Sequence, residues 1–258
     1  MMPDTEQLSP EVVYGMVAEV GFGRYFHLGG REATTELLDL CHLGKDKYVL
    51  DVGCASGKTA CYVATKYGCR VVGVDFLEKM IERANERAQR EGVQDRVSFQ
   101  QADAQHLPFE DNLFDVVIGE FITGLLDDKQ KAVRGYVRVT RPGGIVGLNE
   151  GTKLKTPVPQ DLIEYLAATF GFRASLLTRE GWQGLLADAG LRDTLATTYK
   201  AEGLGSGREA LKDALGVAHR ALYMYVRNPA FRKYIGGSLS LPKNLMDYFG
   251  YGIYLGTK

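Results

Sequence analysis

The segment Val49 to Thr59, VLDVGCASGKT, constrains the fold more than any other stretch of the sequence. An apolar run, Tyr48 to Val52, ends in Gly53, Ala55 and Gly57, and helical spacing resumes at once from Lys58 to Tyr67. A strand that turns this tightly into a helix needs small residues, and the helix start leaves backbone N–H groups free to hold a polar ligand close to the main chain. The same turn also serves as plain packing, so the weight falls on the segments downstream of it.

Those segments alternate between strand and helix. Arg70 to Val74 is a second β-branched run, and Leu77 to Glu91 is a charged, Ala-rich helix closed by Gly92. Val97 to Gln100, Asp115 to Gly119 and Ile145 to Asn149 read as three further strands. A helix from Lys129 to Thr140 stops at Arg141-Pro142-Gly143-Gly144, where proline and glycine cannot continue it. Apolar strands separated by helices predict a mostly parallel sheet covered on both faces, a doubly wound α/β domain. Beyond Glu150 the texture changes. Thr156-Pro157-Val158-Pro159 reads as a rigid linker, Asp161 to Phe170 and Thr178 to Ala189 as helices, and Leu191 to Lys200 as a sixth strand. Gly203 to Gly207 is a break, Arg208 to Tyr225 a helix, and Asp247 to Gly256 a final aromatic strand. A helical insertion thus separates the last two strands.

Charge and composition exclude several classes of function. With 31 Lys plus Arg against 32 Asp plus Glu, the chain lacks the footprint of a general nucleic-acid binder. Its one charge run, Glu78 to Glu91, mixes both signs and reads as a solvated helix face. No apolar run reaches membrane-spanning length, and MMPDTEQLSPEVVYG has neither the pattern of a signal peptide nor that of a transit peptide. The four cysteines, Cys41, Cys54, Cys61 and Cys69, lack zinc-site spacing and read as reduced thiols of a cytoplasmic protein, with no metal expected. None lies in the second half, which disfavours chemistry needing thiols from several parts of a fold, such as arsenic handling.

Three acids lie at successive strand ends beyond the first strand, as a ligand-binding edge would place them. Asp75 ends the second strand, where a dinucleotide fold places a carboxylate that accepts from ribose hydroxyls. Asp103 follows the third strand in QADAQHLPF, and Asp115 opens the fourth in FDVV. Each alone could be a loop carboxylate or a helix cap.

With these motifs in order, the chain resembles the class I S-adenosylmethionine (SAM)-dependent methyltransferases over roughly residues 25 to 150. VLDVGCASG is similar to that family's first motif, GVDF to its ribose-binding acid, QADAQHLPF to its adenine segment, and RPGG to the turn before its fifth strand. The resemblance implies a Rossmann-like, seven-stranded, mostly parallel sheet with helical lid insertions. It divides the chain into a covering segment at 1–40, a SAM-binding core at 41–150, and the rest of the sheet with substrate-lid insertions at 151–258. It implies that Asp51 sits near the methionine amino group while Gly53 and Ala55 line the methionine moiety, with Gly57 a further cofactor-binding residue of the turn. Asp75 would hold the ribose and Phe76 pack on adenine, with the Asp103 carboxylate and the Ala104 N–H meeting the ring. Ala55 stands where the family usually has glycine. The nicotinamide-binding alternative, an NAD(P)-dependent oxidoreductase, expects G-x-G-x-x-G, which this turn does not supply.

Ligands in open α/β sheets lie beyond the carboxyl ends of the strands, which points to Glu120 and Glu150 as the residues facing the transferred methyl. They are candidates to orient an amine, deprotonate an acceptor or attract the sulfonium, and Glu120 is also a cofactor contact. His27, in YFHLGGREAT, is the third catalytic candidate, although a lone histidine is commonly a packing residue. His106 and Pro108 belong to the turn before the fourth strand. Aromatics of the second half, among them Trp182, Tyr199, Tyr251 and Tyr254, could wall an apolar acceptor or cage an ammonium, but also suit ordinary packing. No Asn-Pro-Pro-Tyr-like tetrapeptide follows the fourth strand, which argues against the methyltransferases of planar amide or adenine nitrogen, and the overall layout resembles that of quinone C-methyltransferases and of phosphobase or sarcosine-type N-methyltransferases. The expected activity is methyl transfer from SAM to the N, O or C atom of a small molecule. A SAM-binding module without catalysis is the alternative, and the oligomeric state stays open, a homodimer included.

Overall fold

Strand β1 (Tyr48–Val52) is the centre from which the sheet grows in both directions. The computed structural model describes residues 14–16, 20, 27–170, 176–200, 218, 220–239 and 242–258. From β1 the chain passes through α2 (Lys58–Tyr67) to β2 (Arg70–Asp75), then through α3 (Glu78–Glu91) to β3 (Val97–Gln101), each new strand pairing parallel to the one before. It returns to the other side of β1 with β4 (Phe114–Glu120), crosses α4 (Lys129–Val139), and adds β5 (Thr140–Lys153). The order β3-β2-β1-β4-β5-β8-β7 ends with β8 (Phe249–Thr257), antiparallel to both of its neighbours, and β7 (Arg192–Lys200), which therefore runs in the direction of the parallel strands. The expected seven strands form this path, and a two-residue β6 (Leu177–Thr178) pairs with β5 beside it.

Alternation along β1 explains why both faces are covered. Leu50 and Val52 face a core completed by Val133 and Tyr136 of α4 and by Trp182 and Leu186 of α6 (Arg179–Asp188). Val49 faces the other core, with Leu37 and Leu38 of α1 (Gly30–Leu40) and Val63 and Ala64 of α2. At roughly 25 cal/mol per Å² of apolar area removed from water, side chains buried this fully contribute about 1.5–3 kcal/mol each before entropy is counted. Smaller clusters lie outside the sheet. One joins Leu162 of α5 (Gln160–Phe170) to Leu245 of α8 (Leu245–Tyr248), and another packs Phe231 of α7 (Pro229–Leu239) on Met16 and Val20.

Three sequence readings need correction. The RPGG segment neither ends α4 nor precedes β5: the helix stops at Val139, Thr140 already pairs with Phe114, and the strand carries Pro142 and both glycines. Strand β5 also runs past Asn149 to Lys153, so Glu150 is an interior residue of the strand and not the first residue after it. Asp115 lies at the amino end of β4, the opposite edge from Asp75, where it accepts from the Tyr48 N–H at 2.7 Å and pairs with Arg141 at 2.5 Å. The break at 203–207 falls outside the described residues, as does the 208–225 helix apart from 218 and 220–225.

Candidate functional site

The topology puts the switch of strand order between β1 and β4, and the carboxyl ends of these strands converge there. The turn after β1 is fixed mainly by backbone. The N–H groups of Gly53 and Cys54 both donate to the Val74 carbonyl, at 2.8 and 2.9 Å, and that of Gly57 donates to the Cys54 carbonyl at 2.8 Å. Gly53 has φ 73°, and a Cβ there would stand 2.8 Å from Ile122 Cβ, so only glycine lets the loop after β4 close over the turn. Ala55 takes φ 46°, the left-handed conformation glycine adopts freely. Its N–H compensates by donating to Asp75 Oδ2 at 3.0 Å.

Asp75 accepts from the Leu77 N–H at 3.0 Å and from the Tyr14 hydroxyl at 2.8 Å as well. Burial raises its pKa, against the lowering effect of these donors. Phe76 next to it is 43% exposed, with the Tyr14 ring stacked at 6.2 Å between centroids. Asp51 is buried with Oδ2 unpartnered, and its pKa stands well above the usual carboxylate range because of burial and the nearby Glu120 charge. An orphaned buried carboxylate oxygen beside a second acid fits a cationic ligand, whose charge would offset both effects. Asp103 lies further out, taking the Gln105 N–H and His106 Nδ1, each at 2.8 Å. Its burial is outweighed by these bonds, and its pKa is lowered. Ala104 is buried in the core beside Val52 and Val74.

Glu120, the last residue of β4, is gripped by three side chains, two of them on helices. Thr34 of α1 donates to Oε2 at 2.7 Å, Thr59 of α2 donates to Oε1 at 2.8 Å, and His27 Nε2 lies 3.1 Å from Oε2. His27 Nδ1 lies 3.0 Å from the Leu28 carbonyl oxygen, so both ring nitrogens are engaged within the protein. Nearby, Asn149 is fully buried, with Nδ2 3.0 Å from His27 Nδ1 and Oδ1 unpartnered.

Glu150 is placed differently from the expectation. Only 1% exposed, it accepts the N–H groups of Thr123 at 2.7 Å and Gly124 at 3.1 Å, clamping the single helical turn Thr123–Leu125. Burial pushes its pKa up to about 7 against the lowering effect of those bonds. It therefore acts on the loop that carries Ile122 over Gly53. With 1% of its surface exposed and its carboxylate turned to the Thr123 and Gly124 N–H groups, it presents no open face to an acceptor in this structure.

The structure brings Asp51, Gly53, Ala55, Gly57, Asp75, His27 and Glu120 to one end of the sheet. Thr34, Thr59 and Asn149 escaped the sequence reading, since their partners lie up to 122 positions away. The second-half aromatics mostly pack: Trp182 donates to the Gly151 carbonyl at 3.1 Å, Tyr254 is buried beside it, and Tyr199 and Tyr251 stack on each other. Among the described residues no cluster of His, Cys, Asp and Glu could hold a metal, and no helix is long and apolar enough to cross a membrane.

Known proteins share both this sequence pattern and this fold. A family model described as a methyltransferase domain matches residues 50–148. The 27-O-demethylrifamycin SV methyltransferase of Amycolatopsis mediterranei is 33% identical over 198 residues, which cover 74% of this chain and 72% of that protein. Among solved structures, the cyclase SpnF superposes with a TM-score of 0.77 at 21% identity, covering 98% of this chain and 97% of that one. Haemonchus contortus phosphoethanolamine N-methyltransferase 2 in complex with SAM superposes with a TM-score of 0.73 at 19% identity, covering 97% of this chain and 57% of that one. At these identities the structural matches speak for the fold.

Proposed function

The chain belongs to the class I SAM-dependent methyltransferases, and within that activity we propose how its residues divide the work. It transfers a methyl group from SAM to a small-molecule acceptor and releases S-adenosylhomocysteine (SAH). The cofactor supplies the chemistry, a methyl already activated by a sulfonium. The protein has to bind, align and exclude water, because in-line displacement depends chiefly on holding the nucleophile close and collinear.

In our reading Asp75 holds the ribose, Phe76 covers the adenine, and the Asp103 carboxylate and Ala104 N–H meet the ring edge. Gly53, Ala55 and Gly57 line the methionine moiety. Asp51 and Glu120 face the cationic end of the cofactor, and the observation carrying this assignment is the unpartnered buried Asp51 oxygen beside the Glu120 carboxylate. His27, Thr34 and Thr59 orient Glu120, and Glu150 positions the loop over the turn; neither His27 nor Glu150 moves a proton. Residues 1–40 cover the cofactor, 41–150 hold it, and 151–258 shape the acceptor side. We place the acceptor among hydroxyl-bearing small molecules, on the support of the rifamycin-modifying relative. The buried free thiols support a cytoplasmic setting, and a homodimer is the assembly to test by light scattering.

Calorimetric titration with SAM and SAH, followed by SAH release across a panel of alcohols, amines and carbon nucleophiles, tests this reading. Turnover confined to amines or carbon acids overturns the hydroxyl assignment. Cofactor affinity unchanged in both Asp51→Asn and Glu120→Gln overturns the residue assignment.

A further inference from the structure

Tyr14 reaches the nucleoside end of the site from outside the sheet. Its hydroxyl donates to Asp75 Oδ2 at 2.8 Å, and its ring stacks against Phe76 with centroids 6.2 Å apart and planes 26° apart. Asp75 is only 4% exposed, and its carboxylate also accepts the Ala55 N–H on Oδ2 and the Leu77 N–H on Oδ1. A carboxylate offers about four lone-pair directions. Two of its donors here are backbone groups fixed by the turn after β1 and the end of β2, and on Oδ2 the Tyr14 hydroxyl is the donor free to leave. Burial and the Asp75 charge push the Tyr14 pKa up, which keeps that hydroxyl a donor.

We propose that Tyr14 is an internal competitor for the nucleoside of the cofactor: its hydroxyl holds the Asp75 lone pair that a ribose hydroxyl needs, and its ring shields Phe76. The proposal rests on the assignment of Asp75 and Phe76 to the nucleoside. Cofactor affinity is then the intrinsic affinity reduced by the fraction of molecules in which Tyr14 is seated. The side chain works against binding while it stabilises the free protein, and those two effects can be measured separately.

The experiment is calorimetric titration of the full chain with SAH and with adenosine, for the parent, Tyr14→Phe and Asp75→Asn, together with thermal unfolding of each without ligand. Tyr14→Phe keeps the ring and removes only the hydroxyl that bonds a carboxylate. The expected result is binding of both ligands about 3- to 30-fold tighter, with a lower unfolding temperature in the free protein. Equal or weaker binding in Tyr14→Phe overturns the competitor role, the weaker case making Tyr14 a cofactor contact. Asp75→Asn keeps the underlying assignment distinguishable. If it leaves SAH and adenosine affinity unchanged, the nucleoside subsite itself is misplaced; if it weakens both while Tyr14→Phe gains nothing, only the competitor falls.

Discussion

The turn after β1 and the ends of β4 and β5 occupy the same edge of the sheet but are built in opposite ways. The turn is made of neighbours in sequence: glycines, backbone N–H groups and one acid at the end of the next strand. The ends of β4 and β5 are made of side chains brought from afar, with Glu120 bonded to residues 61 and 86 positions away and Glu150 to residues 27 and 26 positions away. A site assembled from local backbone should fail when its geometry is altered. One assembled from distant side chains should lose its function in steps, bond by bond.

The largest test of that contrast is Gly53→Val. The positive φ costs roughly 1–2 kcal/mol in any L-residue and the forced contact with Ile122 a further 1–3 kcal/mol, so the variant should lose about 2–5 kcal/mol of stability. Cofactor binding should disappear, and denaturant unfolding with SAH titration reads both. Retained binding would mean that the turn tolerates what its geometry forbids.

Glu150→Gln comes next and has a pH signature. The folded pKa of Glu150, about 7, lies above its ordinary value, so the folded state holds a proton that the unfolded state has released across the window between them. Its stabilising contribution is present below the ordinary carboxylate pKa and is lost as pH rises through about 7. Glutamine does not titrate. The stability of Glu150→Gln relative to the parent should therefore shift in the variant's favour between pH 5 and 8, by about 2–3 kcal/mol at ~1.4 kcal/mol per pKa unit. A difference flat with pH would show that Glu150 is not buried against the loop as described.

Thr59→Val removes one of the hydroxyls that grip Glu120, and about 1–2 kcal/mol of stability should go with it. SAM affinity should fall several-fold while Asp75 contacts persist. A loss of all binding would mean that the β4 end shares the all-or-none character of the turn. The smallest effect should come from Asp115→Asn on the opposite edge: stability drops by about 1 kcal/mol and SAH affinity does not change. A changed affinity there would break the division between edges.

The same contrast decides what the sequence discloses. β1, α2, β2 and Asp75 are legible because the periodicity of each element and its bounding glycine sit within a few residues of one another. Glu120 is legible as a position, since any residue closing β4 lands at the switch point, yet its grip by Thr34, Thr59 and His27 is not. Glu150 resembles a strand-end acid because proline and glycine signal breaks, whereas here β5 runs on to Lys153 on the strength of its pairing with β8. Asp115 groups with Asp75 and Asp103 in the sequence as a strand-end acid, but it opens β4, and in a parallel sheet that puts it on the edge opposite Asp75.

The position of β8 has a consequence for the order in which the protein can assemble. Among the described residues β7 pairs in the sheet only with β8, although it precedes β8 in the chain. During synthesis the parallel strands β1 to β5 can pair as they emerge, while residues 192–200 must wait for residues 249–257 to be inserted between them and β5. Until then β5 is an open edge, and the chain must either fold quickly once its last strand is made or have that edge shielded.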